Sequence, residues 1–254
     1  MSLPELVLIF LTLVGSSLIL VKLIQTKLAR SYRAFFFYVA LMGLQSAAVL
    51  TLGQRSGLYQ QFWVITTPLM WLLRVLAVRE LCGLVLERYR GLRTAGRWGM
   101  YAGVVVAGAI SVISLLPRMT VAQRSRVLPY LYPVERGVNF GLAVFLLFMM
   151  LLVSRFPVKL SRNAMVHMSL YTTLFLSNAL STLLHTFFGA RTPRAVDLAS
   201  MSISAACMWL WALLLGRGGE ETRMNLPHYT PEEEARILKK LEELNETLLK
   251  VSHK

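Results

Sequence analysis

Apolar runs long enough to cross a bilayer recur along this chain, and they limit its possible folds more than any other feature. Crossing roughly 30 Å of hydrocarbon takes about 20 helical residues at 1.5 Å each. Seven such runs are present, at about 5–24, 34–52, 62–86, 98–116, 131–153, 164–188 and 195–215. Their connections are short, as in a compact bundle without an inserted soluble domain. The expected fold is all-α: a polytopic membrane protein with a seven-helix transmembrane bundle over 1–216, a flexible juxtamembrane linker over 217–229 and a short cytosolic amphipathic helix over 230–254. Composition agrees, with 56% hydrophobic and 16% charged residues, where soluble domains carry roughly 25% charged.

The first run has no preceding Lys or Arg, exceeds a signal-peptide apolar region in length and is followed by no A-x-A-type site, so it is expected to stay as a span. Basic residues are retained on the cytosolic side of short loops. Thirteen fall after the odd-numbered runs (Lys22, Lys27, Arg30, Arg33; Arg88, Arg90, Arg93, Arg97; Arg155, Lys159, Arg162; Arg217, Arg223) and six on the other side (Arg55, Arg118, Arg124, Arg126, Arg191, Arg194). The expected placement is the inner or plasma membrane, with the N-terminus outside and the C-terminus cytosolic. The formal net charge of +14 arises in residues 1–219, which hold 21 bases against five acids, while the rest of the chain holds six bases against eight acids. A positive excess confined to interhelical loops fits anionic headgroups, not nucleic acid. Tyr and Trp at the run ends, among them Tyr32, Tyr59, Trp63, Trp98 and Tyr130, fit interfacial belts.

Helices in lipid pack through small residues and interhelical hydrogen bonds. Gly99, Gly103 and Ala107 in the fourth run form one such ridge; Ala199, Ser202 and Ala206 in the seventh form another. In the tail, Thr230 suits an N-cap, Pro231 the first helical position, and Glu233 a capping box. Ile237, Leu241, Leu244, Leu248 and Val251 are spaced 4, 3, 4 and 3, a seam for a second copy of the chain, the cytosolic face or a partner. An isolated helix of this length is marginal in water, so the seam calls for something to dock on.

The residues able to carry chemistry are few. Arg74 lies twelve residues into the third run, about 18 Å deep. Its neighbours at i±3 and i±4 include no acid, so a partner on another helix or a bound anion is expected. Depth matching nominates Glu135 as counter-charge, with Asn139, Asn178 and His185 as further candidates for one polar pocket and Trp71 as a cation–π neighbour. His167, Tyr171, Leu174, Asn178, Ser181, Thr182 and His185 share one face of the sixth run, a stripe that cannot face lipid. The two histidines stand about 27 Å apart, too far to ligate one metal. Arg79 and Glu80 are read as a cytosolic latch, with Glu80 reaching Arg33, Lys159 or Arg162. Glu5 reads as solvated, and Glu87 pairs with Arg90. Cys82 and Cys207 read as small buried side chains.

The seventh run has no Lys to carry a retinal Schiff base, and no nucleophile-elbow, zinc-protease or phosphate-loop motif is present. No case for an enzyme, a cofactor or a metal follows. Three roles remain. One is a sensor or receptor-type module, whose layout is similar to bacterial seven-helix input modules with a last span feeding a signalling helix. The second is a small transporter or channel; the third is a structural subunit whose buried charges are packing pairs.

Overall fold

The computed structural model describes residues 2–53, 56–86, 90–113, 128–155, 160–188, 194–221, 223–224 and 231–252. Its long helices are α1 (Leu3–Gln25), α2 (Arg33–Leu52), α3 (Gly57–Val85), α4 (Arg90–Ile113), α5 (Leu128–Arg155), α6 (Arg162–Phe188) and α7 (Arg194–Leu214). A one-turn α8 (Gly218–Glu221) and a tail helix α9 (Pro231–Ser252) follow. The sole sheet element among the described residues is an antiparallel pairing of β1 (Leu160–Ser161) with β2 (Arg223–Met224). Among the described residues, four helices are long and apolar enough to cross a membrane: α1, α2, α7 and the Val134–Ser154 part of α5. The other three are diluted by polar residues: Arg74, Arg79 and Glu80 in α3, a basic first half in α4, and the polar stripe of α6.

Local sequence accounts for the helix ends. The Ser2 backbone N–H donates to Glu5 Oε2 at 2.8 Å, and Pro4 stands where no helical donor is needed. Gly53 closes α2 at φ +75°, a conformation that a side chain would strain. Pro68 sits inside α3, and beside it the Thr67 hydroxyl donates to the Trp63 carbonyl at 2.7 Å.

Neighbour contacts run α1–α2–α3–α5–α6–α7 and back to α1, a closed ring. α4 packs on α5 and α3 outside that ring, and α9 runs against α4. α1 and α7 are parallel and tied at both ends. Arg194 donates from Nε and Nη2 to Glu5 Oε1 at 3.0 and 2.8 Å; Lys22 Nζ donates to the Ala212 and Leu213 carbonyls at 2.6 and 3.2 Å. Glu5 is therefore an interhelical anchor and not a solvated end group.

Glycines set the closest approaches. A Cβ on Gly137 would lie 2.5 Å from the Gly108 Cα, and one on Gly141 3.1 Å from the Val104 Cα. The G-x-x-x-G of α5 thus meets Val104, Ala107 and Gly108 of α4, while Gly99 of the expected ridge faces open space. On α7 the expected small-residue face, Ala199, Ser202 and Ala206, is exposed. Gly15 of α1 provides the close approach there instead, since a Cβ on it would stand 3.1 Å from the Met208 Cβ.

The stretch expected to be a free linker is fastened at its start. Asn163 Nδ2 donates to the Gly216 carbonyl at 2.9 Å and to Glu220 Oε1 at 2.8 Å. The Tyr32 hydroxyl also donates to Glu220 Oε1. Residues 225–230, including Thr230, lie outside the described residues, as do the seam side chains of Ile237, Leu241, Leu244, Leu248 and Val251.

Gly137→Ala is expected to lower stability by about 1–3 kcal/mol through overpacking against α4 backbone. Gly99→Ala should be neutral or stabilising by up to about 1 kcal/mol. Thermal melts in detergent compare the two.

Candidate functional site

Arg74 points into the seam between α3 and α5 and is 9% exposed. Its Nη1 donates to Glu135 Oε1 at 3.0 Å and to Asn139 Oδ1 at 2.9 Å. The Tyr38 hydroxyl of α2 lies beside the same guanidinium. Both α5 partners sit one helical turn apart, so one face of α5 presents a carboxylate and an amide together. A guanidinium in this setting needs acceptors that stay fixed, and a carboxylate plus an amide oxygen supply two.

The centre is richer in donors than in acceptors. Arg74 Nε, Asn139 Nδ2 and Trp71 Nε1 are buried and have no hydrogen-bond partner among the described residues. No ring contact from Trp71 to Arg74 occurs among those residues, so the expected cation–π support is replaced by Glu135, Asn139 and Tyr38. Unmet donors around a paired cation are what a carboxylate, a small oxyanion or an ordered water fills.

Other residues expected in this pocket are committed elsewhere. Asn178 Oδ1 accepts from the Ser200 hydroxyl at 3.3 Å, and His185 Nε2 pairs with Asp197 Oδ1 at 2.6 Å. Both are α6–α7 links, and they leave Arg74 to α2 and α5. Among the described residues no ion pair joins the Glu80 carboxylate to Arg33 or Arg162. The carboxylate accepts from the backbone N–H of Arg33 at 2.9 Å and of Ala34 at 3.0 Å, capping α2 from a neighbouring helix. Arg79 is exposed, and Lys159 lies outside the described residues.

Sequence reading missed how Arg74 is joined to the start of the tail. Tyr38 stands 6.3 Å from Tyr171 between ring centroids; Tyr171 stands 5.8 Å from His167; His167 stands 4.6 Å from Tyr32; and Tyr32 bonds Glu220. Phe35 and Trp211 complete the packing, at 4.6 and 6.1 Å from the His167 ring. Both His167 nitrogens, the Tyr171 hydroxyl and Trp211 Nε1 are buried without partners among the described residues. Burial, and then its bond to Glu220, push the Tyr32 phenol above its ordinary range, so it stays a proton donor to that carboxylate. Asn163 and Glu220 carry no local sequence signal, because their pairing spans 57 residues. Tyr38 sits opposite Arg74 only once α2 and α3 are packed. Arg136, also buried, is a second α5 cation that depth matching among acids and amides passed over.

No family model, curated protein or solved structure matches the chain, so the functional reading rests on this geometry.

Arg74→Met alone and Glu135→Leu alone should each destabilise by about 3–5 kcal/mol, because each strands a buried polar partner. The double variant should lose less than the sum, with a coupling energy of about 0.5–3 kcal/mol, measured by reversible unfolding in mixed micelles. Gly219→Ala would press a Cβ into the Asn163 amide. Faster proteolytic cleavage between α8 and α9 is the expected result.

Proposed function

We propose that this chain is a seven-helix membrane sensor module in which the Arg74 centre takes up a small acceptor-bearing ligand and signals through α7 to the tail helix. Outward-facing residues support seven spans even where mean apolarity falls short. Ile65, Leu69 and Leu72 on α3 and Leu176, Leu180 and Leu183 on α6 are exposed at spacings of 4 and 3, while the polar residues of the same helices, Arg74 and His167, turn inward. An apolar exterior around a polar interior is the arrangement a bilayer selects. The parallel pairing of α1 with α7 suits an odd number of crossings. With the basic-residue asymmetry, it supports an outside N-terminus and a cytosolic C-terminus.

The observation that carries the sensor reading is the contiguous string from Arg74 through Tyr38, Tyr171, His167 and Tyr32 to Glu220. It joins a donor-rich intramembrane centre to the clamp from which the tail departs. A ligand oxygen that draws Arg74 away from Glu135 alters what Tyr38 faces. Tyr171 and His167 then repack, and the Tyr32–Glu220 bond stands just before the β1–β2 pairing that precedes the tail. The tail seam passes the change to a second copy or a cytosolic partner. The same string, with a histidine and three tyrosines in it, also supports a transport reading, as a path for protons.

The test is a thermal-shift screen of small carboxylates and inorganic oxyanions on detergent-solubilised protein. At least one is expected to stabilise the wild type and not Arg74→Leu, while Arg217→Leu keeps the response. It should also change protease access to the tail, and Tyr171→Leu should abolish that change while leaving the shift intact. A shift that survives in Arg74→Leu sinks the pocket. Proton flux in liposomes that requires His167 favours transport.

A further inference from the structure

At the end of the bundle that carries the α1–α2 connection, a groove of 540 Å³ opens between α2, α3 and α4. Among the described residues, four arginines line it, Arg33 from α2, Arg79 from α3, and Arg93 and Arg97 from α4, with Glu80 as the one acid. The carboxylate's oxygens are bound to the Arg33 and Ala34 backbone N–H groups, and its single charge leaves most of the four positive charges uncompensated. None of the four arginines forms an ion pair among the described residues, and Arg97 Nε is buried without a partner there. Glycine brings the α4 guanidiniums in. A Cβ on Gly83 would lie 3.7 Å from Arg93 Nε, and one on Gly96 would lie 3.4 Å from Cys82 Sγ, so α3 and α4 run close enough to face Arg93 and Arg97 into the groove.

The groove is graded along its length. Its other walls are Phe37, Leu73, Leu76 and Leu84. Leu73 precedes Arg79 by six residues on α3, about 9 Å along the helix, so the lining passes from guanidinium to hydrocarbon over that distance. Phe37 is 59% exposed on the outer surface, which continues the apolar wall toward lipid, while Leu84 stands at the level of the arginines. A free phosphate would use the arginines and leave that wall idle. An acyl chain below a phosphate uses both.

We infer that this groove is a binding site for an anionic phospholipid, with its phosphate held by Arg33, Arg79, Arg93 and Arg97 and an acyl chain laid along Leu73, Leu76 and Phe37. The inference rests on the bilayer reading above, which places this end of the bundle at the cytosolic headgroups, where a basic pocket between helices recognises a phosphate group. Glu80 supports the site indirectly, since by capping α2 it fixes the backbone that carries Arg33 and Phe37.

Native mass spectrometry of delipidated, detergent-solubilised protein titrated with phosphatidylglycerol or phosphatidylcholine tests it. Retention of phosphatidylglycerol at least tenfold tighter than phosphatidylcholine is expected. Arg93→Gln/Arg97→Gln should remove the preference, and Arg162→Gln/Arg217→Gln, outside the groove, should keep it. Arg79→Glu is a second variant at an exposed position, with loss of preference expected at unchanged helicity if the α4 pair disturbs folding. Equal retention of the two lipids by the wild type, or a preference unchanged in the groove variants, overturns the site. Inorganic phosphate or glycerol phosphate that competes at concentrations comparable to the lipid overturns the lipid as occupant in favour of a free anion. Carbonate extraction is scored separately: release of the protein from membranes defeats the bilayer reading itself, whatever the headgroup result.

Discussion

A guanidinium that cannot reach water has to be met by fixed acceptors, and the arrangement of the inner helices follows from how Arg74 is met. Glu135 and Asn139 fix the rotation of α5 about its own axis, because both must face α3. Tyr38 does the same for α2. A helix pair in hydrocarbon has no hydrophobic effect to set its register, so a buried polar contact selects one rotation among several of similar packing energy. The outer faces of α3 and α6 carry Ile65, Leu69 and Leu72 and Leu176, Leu180 and Leu183 while Arg74 and His167 are drawn inward, and the outer surface is thus partly a consequence of the inner contact.

The periphery uses a different device. α4 stands outside the ring and meets α5 through backbone, at Gly137 and Gly141, where no side chain intervenes. The α1–α7 seam relies on Gly15 in its middle and on charged groups at its ends, Glu5 with Arg194 and Lys22 with the last α7 carbonyls. Lys22 answers the negative end of the α7 dipole, and Glu80 answers the positive end of α2. These contacts tie helix termini to neighbours, so the ring closes through its ends while Arg74 orders its interior.

How much of this was legible in the sequence depends on the range of each interaction. The positions of the long helices were legible from apolar runs, unbroken in α1, α2, α7 and most of α5 and interrupted by polar residues in α3, α4 and α6. The nearness of Arg74 to Glu135 was legible, because charges at such depth are few and depth follows from counting residues. The partners of Asn178 and His185 were not, because depth alone does not say which way α6 is rotated; the structure turns them to Ser200 and Asp197 on α7. Glu80 was read as half of a side-chain pair because sequence shows side chains only, and among the described residues its partners are backbone donors. The clamp of Asn163, Gly219 and Glu220 on the tail was hidden in a glycine-rich stretch. Here the glycine serves close approach, since any Cβ at Gly219 would collide with the Asn163 amide.

The distribution of satisfied and unsatisfied groups separates the rigid parts of the molecule from the part with freedom to change. At both ends of the α1–α7 seam and at the α2 cap, the charged groups Glu5, Arg194, Lys22 and Glu80 all have partners. Between them, Arg74 Nε, Asn139 Nδ2, His167, the Tyr171 hydroxyl and Trp211 Nε1 are enclosed without partners among the described residues. Such groups carry a desolvation cost that a new partner relieves, and the relief differs between alternative packings of the same side chains. A ligand shifts an equilibrium only by its differential affinity for two states. In the proposed sensor role, the interior between Arg74 and Tyr32 is where an added acceptor would change the balance most, and the base of the tail meets that interior at Tyr32 and Asn163.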